Sequence, residues 1–194
     1  EDTLRRWVNE GGVLIRFAGP RTVEGIDDLV PVPMRDGARV LGGSLSWEDP
    51  QPLAPFDAES PFAGLDTPTD VAVTRQLLAE PSATLPDHTW ASLADGTPLV
   101  TAAGLGNGWL VFFHVTADTT WSTLPLSGTF VDMLRKLVGL AGTPPGGRNA
   151  EAQGAPLPPL RVLDGEGRLV VPGASVRPLP AAARADIAIG PEHP

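Results

Sequence analysis

Arg16, His114, Asp118 and Trp121 are the side chains of this sequence best placed for chemistry. His114 closes the strongest apolar run of the chain, Trp109 to Val115, and Thr116, Asp118 and Trp121-Ser122 follow it directly. In open α/β sheets, loops at the carboxyl ends of strands line ligand crevices, so these residues, with Arg16 from another apolar run, form a candidate ligand-binding rim. A histidine beside a carboxylate is also the pair a hydrolase would use, here with further groups supplied from outside the chain. The same two residues serve equally well as a structural histidine held by a neighbouring carboxylate.

Other candidate motifs carry less. Gly104-x-Gly106-x-Gly108 precedes a strand, whereas a phosphate-cradling loop must open a helix, so it is expected to be a hairpin turn. No serine lies in a G-x-S-x-G setting. Asp27-Asp28 and Glu48-Asp49 lack the ligand spacing of a calcium loop and are expected to be a solvated acidic face. His88 and His193 are expected in solvent. Trp7 and Trp109 are expected in the core, and Trp47, Trp90 and Trp121 at strand ends or loops. No cysteine is present, which excludes disulfides, thiolate catalysis and Cys-ligated zinc; no spacing calls for a metal or other cofactor.

Composition bounds the partners. The formal charge is −9, from 23 acidic against 14 basic residues, and Lys136 is the only lysine. Nucleic acid and anionic membrane surfaces reward clustered Lys and Arg, so neither is an expected partner. No apolar run reaches the roughly 18 residues of a membrane-crossing helix, so direct membrane insertion is not expected.

The elements that must position the candidate residues follow from local pattern. Asp2 or Thr3 caps a short helix with Leu4, Trp7 and Val8 on one face, ended by Gly11. Val13 to Phe17 is a near-continuous apolar run, as in a central parallel strand. A helix feeding such a strand at once suggests that part of the sheet precedes Glu1. Strands are expected at Arg39 to Trp47, from Val71 and Val73 toward Leu77, and at Thr89 to Leu93, Thr97 to Thr101 and Trp109 to Val115. The last three form an antiparallel meander, with Asp95-Gly96 and Asn107-Gly108 supplying the positive φ of tight turns. The long loop from Glu48 to Leu65 is either a surface excursion or an interface to another chain. Ser127 caps a helix with Phe130, Met133, Leu134, Leu137 and Val138 at three- and four-residue spacing, ended by Gly142 and Pro144. The expected organisation is a domain over 1–142, a Pro/Gly-rich linker over 143–159 and a tail over 160–194 carrying a hairpin around Asp164-Gly165-Glu166-Gly167. That tail is too small to own a core.

The run Leu4 to Ile15 resembles the helix and central strand of class I glutamine amidotransferase-like domains, which often show Trp-Val followed by Gly-Gly. SLSWEDPQPLAPF, SPFAGL and FFHVTADTTWSTLPLSGTFVDMLRKLV resemble segments of large bacterial membrane proteins of the aerotolerance (Bat-like) type. The resemblance covers residues 1 to 142 well and LDGEGRL loosely. It implies a flavodoxin-like, class I amidotransferase-like three-layer α/β sandwich, carried as the soluble domain of an inner-membrane protein and partnered by the parent's other domains or another protein. An active amidotransferase needs a cysteine after the strand matching Val13 to Phe17, where this chain reads Ala18-Gly19-Pro20. It also needs His-x-Glu where this chain has His114-Val115-Thr116. The resemblance therefore implies a catalytically silent relative acting in ligand binding or docking.

Overall fold

The computed structural model describes residues 1–20, 22, 27–35, 44–145, 159, 161–173 and 176. His193, most of the 143–159 linker and the first part of the Arg39 to Trp47 strand lie outside the described residues. The chain divides into two units, Glu1–Pro145 and Gly146–Pro194.

The first unit is mixed α/β. Helix α1 (Asp2–Asn9) leads into β1 (Val13–Phe17), and β4 (Thr89–Ser92), β5 (Pro98–Leu105) and β6 (Gly108–Phe113) make the meander. These four strands form one sheet in the order β1-β6-β5-β4, with β1 parallel to β6 and the other pairs antiparallel. Strands β2 (Ser44–Gln51) and β3 (Val73–Leu77) pair separately and antiparallel. Helix α2 (Gly128–Val138) completes the unit.

Local chemistry explains the boundaries. Helix α1 starts after Glu1, so Asp2 lies in its first turn, where a carboxylate suits the positive helix end. At the other end Gly11 takes φ 114°, its N–H reaching Val8 O at 2.9 Å while Gly12 N–H reaches Trp7 O at 3.1 Å. That pair of bonds is a Schellman stop, and it turns the chain straight into β1. Ser127 caps α2 as expected, its hydroxyl accepting from Phe130 N at 3.2 Å and donating to Leu124 O at 2.8 Å. The helix closes at Val138 with Gly139, earlier than Gly142. Gly142 instead donates its N–H to Gly11 O.

Helices α1 and α2 cover opposite faces of the sheet, because alternate residues of a strand point to opposite sides. Val8 of α1 packs with Leu29 and Leu110, beside Leu14. Phe130 of α2 meets Phe17 and Phe113 edge-on at 6.0 and 5.9 Å. Trp7 departs from expectation: it is 48% exposed and lies against Gly12, while Val8 alone of the α1 apolar face is fully buried. Trp90, expected at a strand end, is buried beside Trp109.

β1 also departs from expectation. Among the described residues it is the edge of its sheet, and all five of its residues are only half-buried. The β4 edge, by contrast, is covered: Ala54 N–H donates to Ser92 O and Ala94 N–H to Pro52 O, both at 2.9 Å. The β5–β6 turn differs in detail too, since Gly106 takes the positive φ, 61°, and Gly108 does not.

The Glu48 to Leu65 stretch contributes to the core. Ser60 Oγ donates to Trp90 O at 2.6 Å and accepts from Phe62 N, and Phe62 is fully buried between Phe56 and Trp90. Lys136 on α2 secures the same stretch by donating to Ala63 O at 2.8 Å.

In the second unit, β7 (Val162–Leu163) and β8 (Leu169–Val170) form the expected hairpin. The Asp164 carboxylate accepts from Glu166 N and Arg168 N across its turn, and Gly167 takes φ 78°. Leu163, Leu169, Val170 and Val171 are all exposed, as suits a hairpin without a core of its own.

Candidate functional site

His114 follows the last residue of β6 and is completely buried. Its Nδ1 lies 2.7 Å from Leu77 O and its Nε2 3.0 Å from Thr101 Oγ1. A carbonyl can only accept, so Nδ1 carries the proton and donates, and Nε2 accepts from the Thr101 hydroxyl. The main chain repeats the link: His114 N–H donates to Leu99 O, and Leu77 N–H donates to His114 O, both at 2.9 Å. Burial pulls the imidazole pKa down to about 4, against the opposing effect of the Leu77 carbonyl. This histidine is therefore neutral at pH 7, fixed in one tautomer, and pins β3 to β5 and β6. Its partners are a hydroxyl and a carbonyl, not the neighbouring carboxylate.

Asp118 is exposed and engages its own loop. Its carboxylate accepts from the Thr120 N–H at 2.9 Å and from the Thr120 hydroxyl, and Thr116 donates to its carbonyl at 3.2 Å. The Thr120 hydroxyl, then the Thr120 N–H and Thr116, hold its pKa below the usual carboxylate value. No hydrogen bond joins Asp118 to His114 among the described residues.

Trp121 is buried and acts through its main chain. Its carbonyl accepts from Thr74 N at 2.9 Å, Thr74 Oγ1 at 3.0 Å and Arg75 N at 3.1 Å. With the Val73–Ser122 bridge and the Thr123 N–H to Ala72 O bond, this segment runs as an antiparallel partner of the start of β3.

Arg16 stands opposite Phe112 on the β6 side of β1. Its guanidinium donates to Asp27 Oδ1 and, at 3.0 Å, to Leu29 O, while Asp27 also accepts from Leu29 N–H at 2.9 Å. Burial tends to raise the Asp27 pKa, but the Arg16 hydrogen bond, the Leu29 N–H and the guanidinium charge together bring it below the usual value. The expected solvated acidic pair is thus half engaged: Asp27 anchors Arg16, and Asp28 lies 3.9 Å from Arg5.

The four candidates do not converge on one another through hydrogen bonds. Each is committed to a separate local task. His88, expected in solvent, is half-buried and has Nδ1 3.0 Å from Ala102 O. Of the partners that matter most, Leu77 O and Thr101 for His114 belong to no motif, and Asp27 for Arg16 belongs to the acidic pair expected in solvent. Thr101 alone of these carries a sequence signal, as a polar residue in an apolar strand. Gln76, whose side-chain amide is fully buried without a partner among the described residues, carries no such signal, since it follows Thr74 and Arg75 in a largely polar strand.

Two clefts lie elsewhere. One, of about 460 Å³, runs between residues 64–70 and the start of α2, and is lined by Asp66, Thr67, Asp70, Ser127 and Asp132. A smaller one, of about 270 Å³, is lined by Asp57, Ser82, Leu85, Pro86 and Pro98. No group of three or more His, Cys, Asp or Glu with metal-holding geometry occurs among the described residues, nor any helix long and apolar enough to cross a membrane.

No family model, curated protein or solved structure matches this chain.

Proposed function

We propose that this chain is a non-catalytic, amidotransferase-like module of a membrane-anchored bacterial protein, and that it works by docking through the edge of its main sheet. The resemblance of the Leu4 to Ile15 run and of the Phe112 to Val138 segment supports the lineage. The burial of His114, with both ring nitrogens occupied, supports the absence of acid–base chemistry there.

One observation carries the docking role. Trp109 N–H donates to Gly12 O at one end of β1, and Ala18 N–H donates to Phe113 O at the other, at 3.0 and 2.8 Å. In a parallel ladder this alternation aims the main-chain groups of residues 12, 14, 16 and 18 at β6, and those of Val13, Ile15 and Phe17 away from it. Among the described residues these outward groups meet only a long contact, Thr22 Oγ1 to Phe17 O at 3.4 Å. Unpaired main-chain groups within an apolar strand are a template for another strand.

Amide hydrogen exchange on the dilute chain tests the reading. Val13, Ile15 and Phe17 are expected to exchange rapidly, while Leu14 and Arg16, bonded to β6, are protected. Equal protection at all five positions would mean that the edge is already covered, and the docking role would fail.

A further inference from the structure

The geometry points to a second copy of this chain as the occupant of the β1 edge, paired antiparallel about a two-fold axis at Ile15. This inference rests on the docking role proposed above and names its partner.

The edge is self-complementary. With the axis on Ile15, the outward groups of Ile15 face those of Ile15 in the second copy, and Val13 faces Phe17. Every such position is one where both residues present N–H and C=O to the partner, so each pair exchanges both bonds. A one-residue slip would bring outward groups against residues whose own groups face β6, and a two-residue slip would match only two of the three outward residues, so the register centred on Ile15 makes the most bonds. On the α2 face the pairs are Ile15 with Ile15 and Val13 with Phe17, β-branched and aromatic combinations that favour cross-strand packing. On the other face Arg16 lies opposite Leu14. The Arg16 guanidinium is already held by Asp27 and Leu29 O, so the approaching strand meets no free like charge.

Among the described residues nothing blunts this edge. Natural edges are protected by bulges, prolines, lysines or covering loops. β1 has no proline or lysine, and its register with β6 is unbroken from Val13 to Phe17. The opposite edge of the same sheet is covered by residues 52–54. Apolar side chains stand free on the layers beside the strand: Leu4 and Trp7 on α1 are 47% and 48% exposed, and Val131 on α2 is 44% exposed. An isologous interface built on β1 would continue the sheet from one copy into the next and bring the α1 helices of both copies alongside each other.

Sedimentation velocity of the full chain over a wide concentration range, with amide exchange at each concentration, tests this. The expected result is a monomer–dimer equilibrium in which exchange at Ile15 slows by at least about tenfold as the dimer forms. The chain has no native cysteine, so Ile15→Cys gives a second readout: oxidation is expected to link two copies across the axis, whereas Asp95→Cys, in the exposed turn before β5, is not. A chain that stays monomeric at every concentration with Ile15 exchanging freely overturns the second copy and leaves the edge open to a strand from another polypeptide. A dimer with Ile15 unprotected and no Ile15→Cys linkage places the contact elsewhere and also overturns it. Ile15 protected in a dilute monomer overturns both this inference and the docking role.

Discussion

The Thr101 hydroxyl donates to Nε2 of His114 at 3.0 Å, inside a region where both residues are completely buried. The bond leaves the imidazole no lone pair for a proton, because Nδ1 already donates to Leu77 O. A residue that looks catalytic by its position at a strand end is thereby turned into a fastener between two sheets.

The first prediction concerns pH. His114 titrates near 4 when folded and near 6.5 when unfolded, so the unfolded state takes up the proton first as pH falls. Stability is fully present above about pH 6.5 and declines between there and about pH 4, by roughly 3 kcal/mol in all. His114→Asn retains an N–H donor for the Leu77 carbonyl but cannot titrate. The difference between wild-type and variant urea-unfolding free energies is expected to shrink by that amount over this window; a difference independent of pH would show that the histidine is not buried neutral.

Thr101→Val removes the hydroxyl while keeping the shape of the side chain. Nε2 of His114 is then a buried acceptor without a donor, which costs about 1–3 kcal/mol. His114→Asn has no Nε2 to orphan, so the two substitutions are expected to be non-additive. A double-mutant cycle in urea unfolding measures this coupling.

Most secondary elements were legible because their signals are local. The apolar run Val13 to Phe17, the Asp95-Gly96 turn and the Ser127 cap each lie within a few residues, and each element stands near its expected place. The position of β1 in the sheet was not legible, since an apolar run flanked by helices on both faces reads alike at the centre and at an edge. The partner of His114 was hidden for a different reason: Leu77 contributes a main-chain carbonyl, which no pattern of side chains records. Trp7 and Val8 show the limit of helical periodicity, which groups them on one face but does not say where the sheet ends beneath them.

Arg16 and Asp27 yield a prediction about titration. The Asp27 carboxyl is expected to titrate below its ordinary 3.8 in the folded chain. Its contribution to stability is therefore present above that value and lost as pH falls through the folded one. Arg16→Met removes both the hydrogen bond and the charge that lower the Asp27 pKa, leaving burial opposed chiefly by the Leu29 N–H. The midpoint followed by NMR is then expected to rise; an unchanged midpoint would place the guanidinium elsewhere in solution.

Gly108 and Gly96 separate two reasons for glycine in one meander. Gly96 has φ 88° with open space around the position of a Cβ, so Gly96→Ala costs only the strain of a left-handed alanine, about 1–2 kcal/mol. Gly108 has no such φ, but a Cβ there would collide with the carbonyl oxygens of Val8 and Gly12, where the chain turns from α1 into β1. These are main-chain atoms, fixed by the Schellman stop and by the Trp109 N–H bond to Gly12 O at 3.0 Å, and they cannot rotate away. Gly108→Ala is therefore expected to cost about 3 kcal/mol, at the upper end of overpacking effects, and more than Gly96→Ala. Urea unfolding at unchanged m ranks the two. Amide exchange locates the damage: Trp109 N–H is expected to lose protection in Gly108→Ala and to keep it in Gly96→Ala, because the added methyl pushes the α1–β1 turn off the start of β6.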